Sequence, residues 1–166
     1  RLQDPDLCTR VRISAPDYRA PIKDNKDPLV YQLQLLSDRS FGNFSLREPE
    51  RLDQEVQLNL ENVFRAAQEY AENPQGWLVL TGTYGCGKTH LAAAVGNYRK
   101  GMGDEPIFVV VPDLLDHLRA TFSPTSNTSY DSMFNRVKSA PILIMDDLGT
   151  QSATPWAREK LYQIFN

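Results

Sequence analysis

Residues 78–98 read "LVLTGTYGCGKTHLAAAVGNY", and the order of residue types in this stretch decides the fold. An apolar run gives way to a loop with three glycines, a lysine and a threonine, and then to small apolar residues at helical spacing. "GWLVLT" reads as a short buried strand, and the residues from about Lys88 to Arg99 read as a helix that stops at Gly101. Between them Gly82, Thr83, Tyr84, Gly85, Cys86, Gly87, Lys88 and Thr89 fit G-x-x-x-x-G-K-[ST] at every fixed position. The physical need behind such a loop is to hold several negative charges without burying them unpaired. Glycines permit positive φ and bring consecutive N–H groups close around a phosphate. The helix that follows points its positive end at the same anion. Lys88 is then expected to reach the β- and γ-phosphates, and the Thr89 hydroxyl to meet Mg²⁺. The plain alternative is a glycine-rich turn without a ligand. A chance match in a chain this long has a rate on the order of 1% or less, and the strand-loop-helix context argues further against it.

A phosphate cradle needs a magnesium holder from another strand, and "PILIMDDLG" at 141–149 supplies one. An acid at the end of a buried apolar strand stands where an open α/β sheet places its ligands. Asp146 is expected to hold Mg²⁺ through water, and Asp147 to orient or deprotonate the attacking water. Taken alone, an apolar run followed by two aspartates reads as a strand ending in a solvated loop; the glycine loop changes that reading. Cys86 fills a free position of the loop, where being small is its simplest task. His90, in the first turn of the helix, reads as packing, with a phosphate-side role as the alternative. Tyr84 either covers a phosphate or faces solvent.

The rest of the chain fits around this pair of motifs. From Pro49 onward Leu52, Val56, Leu60, Val63, Phe64, Ala67, Tyr70 and Ala71 recur at steps of three and four, an amphipathic helix with Pro49 in its first turn and "ENPQG" at its end. "PIFVVV" at 106–111 is a second strand, continuous as expected when both faces of a parallel sheet are covered. Asp113 is expected to cap a helix carrying Leu114, Leu115, Leu118 and Phe122 on one side. After the polar "SPTSNTS", a helix of about 130–139 buries Met133, Phe134 and Val137, and a last helix starts near Pro155. Strands alternate with helices, so the class is α/β with a parallel sheet. Residues 1–40 hold prolines at 5, 16, 21 and 28 and weak periodicity, an irregular arm with at most a short helix near "LVYQLQLL". The boundary is drawn near Phe41, dividing an arm of 1–40 from a domain of 41–166.

Composition narrows the function classes. With 166 residues, 41% hydrophobic and a formal net charge of −3, one globular domain is expected rather than a disordered or polyanion-coating chain. Cys8 and Cys86 are the two cysteines, which excludes a disulfide framework or a four-cysteine zinc site within the chain and points to a reducing cytoplasm. The apolar runs are too short to cross a bilayer.

With both motifs placed, the chain resembles the AAA+ ATPases, and more narrowly the DnaC/IstB-like group of bacterial replicative helicase loaders and transposase-helper ATPases. The resemblance runs from about "FGNFSLREPE" to the end and is carried by "GWLVLTGTYGCGKTHLAAAVGNY", "FVVVPDLLDHLRATF" and "PILIMDDLGTQSATPWAREKLYQIFN". It implies a P-loop NTPase fold, a three-layer αβα arrangement around a parallel sheet, and Mg-ATP as ligand. In this group the second acid of the Walker B motif is often aspartate, as in Asp146-Asp147-Leu148-Gly149. The two helices before that strand look like the extra helix of the initiator and loader branch, which lines a channel for single-stranded DNA in relatives. Arg119, Arg136 and Lys138 lie there, with a solvated face as the plainer reading. Phe41 and Phe44 stand in a segment that packs near the adenine in relatives, and they read more simply as a latch on the following helix. The family sheet has a sensor 1 strand between the Walker A and Walker B strands. This chain stops before it, so an open apolar edge and a fold incomplete at its C-terminal side are expected. The natural protein is expected to be longer. The resemblance implies an ATPase that is slow alone, because a neighbouring subunit supplies an arginine, and a switch that self-associates with ATP on single-stranded DNA or a helicase ring. Loading of a replicative helicase leads. Assistance to a transposase, a nucleotide-dependent scaffold without useful catalysis and a small-molecule kinase are the alternatives.

Overall fold

The computed structural model describes residues 28–47, 52–122, 129–150 and 154–165. Most of the expected arm, Pro49 and most of the polar loop after Phe122 lie outside the described residues. Two strands, β1 (Ile107–Val110) and β2 (Leu143–Asp146), pair in parallel, with Ile107 opposite Leu143 and Val110 opposite Asp146. Between them run α4 (Val111–Ala120) and α5 (Tyr130–Lys138), the crossover that parallel neighbours require. Before β1 come α1 (Pro28–Leu35), a single 3-10 turn at Phe41–Asn43, α2 (Gln54–Glu72) and α3 (Lys88–Gly101); α6 (Pro155–Phe165) follows β2. The α/β class and the parallel pairing expected from the apolar runs are thus present. Ile107, Phe108 and Val109 are all buried, which explains why β1 reads as continuously apolar instead of alternating.

The stretch 77–81 departs from expectation. Among the described residues it pairs with no strand, although Leu78 and Leu80 pack against Ala67, Ala71, Leu91 and Val95 of α2 and α3. Its other face is open: Trp77 is 66% exposed and Val79 74% exposed. A strand exists through hydrogen bonds to a neighbour, and the segment has its side-chain anchorage without that neighbour.

Helix α3 lies close against the sheet because its inward face is small. Ala93, Ala94 and Gly96 are buried, and a Cβ on Gly96 would come within 2.8 Å of Ile144 Cδ1 and 3.1 Å of Leu33 Cδ1. Leu33 belongs to α1 and is buried with Ala93 and Phe108, while Leu29 joins Ile107, Val109 and Leu118. The Gln32 side chain also accepts a hydrogen bond from the Val110 N–H at 3.2 Å, completing the edge of β1. Helix α1, which precedes Phe41, thus shares the core of the sheet.

Helix ends account for two further details. Arg99 donates to the carbonyls of Ala71 and Glu72, satisfying acceptors that the end of α2 leaves open, and its guanidinium also pairs with Asp104. Asp113 does not cap α4 as expected. Val110 holds the cap position and Pro112 stands in the first turn, where its fixed φ suits a helix that starts three residues earlier than a cap at Asp113 would allow. The Asp113 carboxylate sits in that turn and accepts from Gln32 at 3.3 Å. Phe122 falls beyond the end of α4, is 60% exposed and stacks on Tyr130, so it leaves the buried face formed by Leu114, Leu115 and Leu118.

Candidate functional site

The loop from Gly82 to Thr89 joins the unpaired segment 77–81 to α3. Gly82, Gly85 and Gly87 have φ of 151°, 75° and 102°, the region that L side chains rarely adopt. Two of them are also held by space. A Cβ on Gly87 would lie 2.8 Å from Cε2 of Phe44, and one on Gly82 would lie 2.9 Å from Sγ of Cys86. The loop is therefore a backbone surface closed from below by Phe44 and from within by Cys86. Gly87 occupies the cap position of α3, so the free N–H groups of that helix open onto the loop. Lys88 folds across it, Nζ donating to Gly82 O at 3.0 Å and Thr83 O at 2.8 Å, with Cys86 Sγ at 3.7 Å.

The acidic pair meets the loop at the end of β2. Thr89 Oγ1 donates to Asp146 Oδ2 at 2.8 Å across 57 residues of sequence. This contact depends on α3 lying close to β2, which Gly96 permits. Asp147 follows in the left-handed region with φ of 55°, a conformation aspartate tolerates better than most residues. Its carbonyl accepts from the N–H and the hydroxyl of Thr150, at 3.2 and 2.7 Å, fixing the turn that leaves the strand. Gly149, at φ of 99°, completes it.

This donor set fits a nucleotide with a magnesium ion. Mg²⁺ takes one or two protein oxygens and fills its octahedron with phosphate oxygens and water. One hydroxyl and one carboxylate at hydrogen-bond distance offer that, and among the described residues no group of three or more His, Cys, Asp or Glu forms a metal cage.

Of the residues singled out from sequence, Gly82, Gly85, Gly87, Lys88, Thr89, Cys86 and Asp146 are brought together here, with Asp147 adjacent to Asp146. Tyr84 stands fully exposed at the crest. His90 turns to another segment. Its Nε2 lies 2.9 Å from Ser40 O and 3.1 Å from Asn43 Oδ1, and its ring meets Phe44 edge-on at 5.2 Å. Phe44 stacks on Phe64 of α2 at 5.5 Å and Phe41 meets Phe64 edge-on at 5.8 Å, the latch expected for both. Sequence reasoning missed Ser40, Asn43 and Arg47. Asn43 Oδ1 accepts from the N–H and hydroxyl of Ser40, a Ser-x-x-Asn spacing that signals a capped turn, and Arg47 Nη2 donates to Gly85 O at 3.0 Å. Nothing in the local pattern marks Arg47. Away from this site, Arg119 pairs with Asp116 at 3.1 Å and lies 5.0 Å over the ring of Trp156, while Arg136 and Lys138 are exposed on α5.

The chain is similar to known proteins. The replicative helicase loader DnaC of Buchnera aphidicola from Schizaphis graminum is 34% identical over 100 residues, which is 60% of this chain and 40% of that protein. The replicative helicase loader DnaI of Bacillus subtilis is 26% identical over 154 residues, 87% of this chain and 47% of that protein. For the replicative helicase loader DnaC of Escherichia coli K12 the figures are 28% over 128 residues, 75% and 48%. The chain thus spans less than half the length of these curated relatives. A family model described as IstB-like ATP binding protein matches residues 34–166. Because that match takes in both the glycine loop and the strand end that meets it, the chain belongs to the IstB-like ATP-binding proteins, in the DnaC/IstB-like group of AAA+ ATPases.

Proposed function

We propose that this chain binds Mg-ATP at Gly82–Thr89 and hydrolyses it as a switch for loading a replicative helicase onto single-stranded DNA. The observation that carries the reading is the contact of Thr89 with Asp146, which joins the two halves of a nucleotide site from separate elements. Bound Mg-ATP supplies a transferable phosphoryl group and a cation that offsets its charge. The chain's own residues do the rest. Loop N–H groups and the start of α3 hold the phosphates, Lys88 exchanges its carbonyl partners for phosphate oxygens, and Thr89 and Asp146 orient the metal side. Asp147 orients the attacking water or accepts a proton from it. Turnover is slow without a second subunit, since charge stabilisation in this chemistry is normally completed by an arginine in trans. The loader role is supported by the names of the relatives. Assistance to a transposase is the second reading, resting on the resemblance to the DnaC/IstB-like group.

The test is Mg-ATP binding and turnover with and without single-stranded DNA, beside Lys88→Ala and Asp147→Asn. Lys88→Ala is expected to weaken binding by roughly tenfold or more, since a charge-assisted contact is lost. Asp147→Asn is expected to keep binding and lower turnover about a hundredfold or more. Nucleotide binding unaffected by Lys88→Ala would sink the site assignment. Capture of a purified replicative helicase but not a transposase would separate the two roles, and the reverse result would favour the second.

A further inference from the structure

The segment Ser40–Arg47 lies against the glycine loop and the first turn of α3 and is fastened to them at three points. His90 Nε2 lies against Ser40 O and Asn43 Oδ1, the Phe44 ring fills the space under Gly87, and Arg47 Nη2 donates to Gly85 O at 3.0 Å. Arg47 itself has φ of 58°, and its N–H donates to Ser45 Oγ at 3.1 Å. A non-glycine residue stays in the left-handed region only where its surroundings hold it there. Here a local turn and the loop contact both do so, which aims the guanidinium at the crest of the loop.

Resting on the nucleotide-binding reading above, we propose that Arg47 is a positioning residue for the phosphate loop, acting through the Gly85–Cys86 peptide. A guanidinium on the Gly85 carbonyl draws electron density from that peptide and makes the Cys86 N–H a stronger donor. The N–H groups of such a loop are what grip phosphate. Arg47 thus fixes the crest before ligand arrives and strengthens one donor of the cradle without touching the nucleotide.

The experiment uses the full chain, with Arg47→Ala, Arg47→Lys and Lys88→Ala beside the wild type. The measurements are Kd for Mg-ADP and Mg-ATP, thermal melting, and hydrogen exchange of 82–87 without nucleotide. Arg47→Ala is expected to raise Kd for both nucleotides roughly five- to tenfold, with melting unchanged. Arg47→Lys, which keeps a charged donor, is expected to recover affinity to within about threefold of wild type. Exchange across 82–87 is expected to quicken in Arg47→Ala alone. Wild-type affinity in Arg47→Ala beside a defective Lys88→Ala overturns this proposal and leaves the site reading standing. Equal losses in both Arg47 variants with lowered melting would also overturn it, as a purely structural contact. A wild type that binds no nucleotide overturns both readings together.

Discussion

At Gly87 a backbone constraint and a steric one coincide. Its φ of 102° strains any L residue, and a Cβ there would press into the Phe44 ring at 2.8 Å. Gly87→Ala is therefore expected to destabilise the chain by about 1–3 kcal/mol and to disturb the loop. Gly101 is the internal control. It ends α3 in open space, where a Cβ meets nothing within 4 Å, and its φ is not positive. Gly101→Ala is expected to be neutral or to stabilise by up to about 1 kcal/mol, because the unfolded chain loses freedom and the helix gains propensity. Urea unfolding of the two variants checks both claims. Similar destabilisation in both would show that position within the loop has no special cost.

Among the elements, α1 is the one whose weight in the fold is least evident from sequence. Leu33 is 3% exposed against Ala93 and Phe108, whereas Leu35, two residues on, is 54% exposed. Leu33→Ala is expected to cost about 2–4 kcal/mol, and Leu35→Ala less than about 0.5 kcal/mol. Denaturant midpoints of the pair measure this, and equal small effects would show that α1 is only loosely attached. An eight-residue helix that is apolar on most sides has too little polar contrast for its periodicity to reveal a buried face. The glycine loop, α3, β1 and β2 were legible because each carries a strong local signal: glycines and lysine at fixed spacing, or a short continuous apolar run before an acid. The contacts of the Ser40–Arg47 segment were not legible in the same way. Arg47 reaches Gly85 across 38 residues and His90 reaches Ser40 across 50, distances over which periodicity says nothing. The apolar run at 77–81 misled for a different reason. Its composition suits a strand, but composition does not supply a hydrogen-bonding neighbour.

For the whole molecule, that unpaired run sets an unequal distribution of stability. Leu78 and Leu80 are anchored on α2 and α3, and the Trp77 ring meets Phe165 of α6 at 5.4 Å, so side-chain contacts anchor the segment. Among the described residues its backbone groups have no ladder of the kind that β1 and β2 share, and exchange protection follows such bonding. In dilute solution the amides of 78–80 are expected to exchange at least about a hundredfold faster than those of 107–110. The exposed Val79 and an edge that is unpaired among the described residues also form a template for pairing between chains. Self-association that grows with concentration is therefore expected, and Val79→Lys should reduce it without lowering the unfolding midpoint, because the side chain leaves no core when it is replaced. Exchange and sedimentation read at several concentrations test the two claims together. Slow exchange at 78–80 that persists on dilution would mean the segment finds a partner within its own chain. Slow exchange that appears only at high concentration would mean the edge has paired with a second copy.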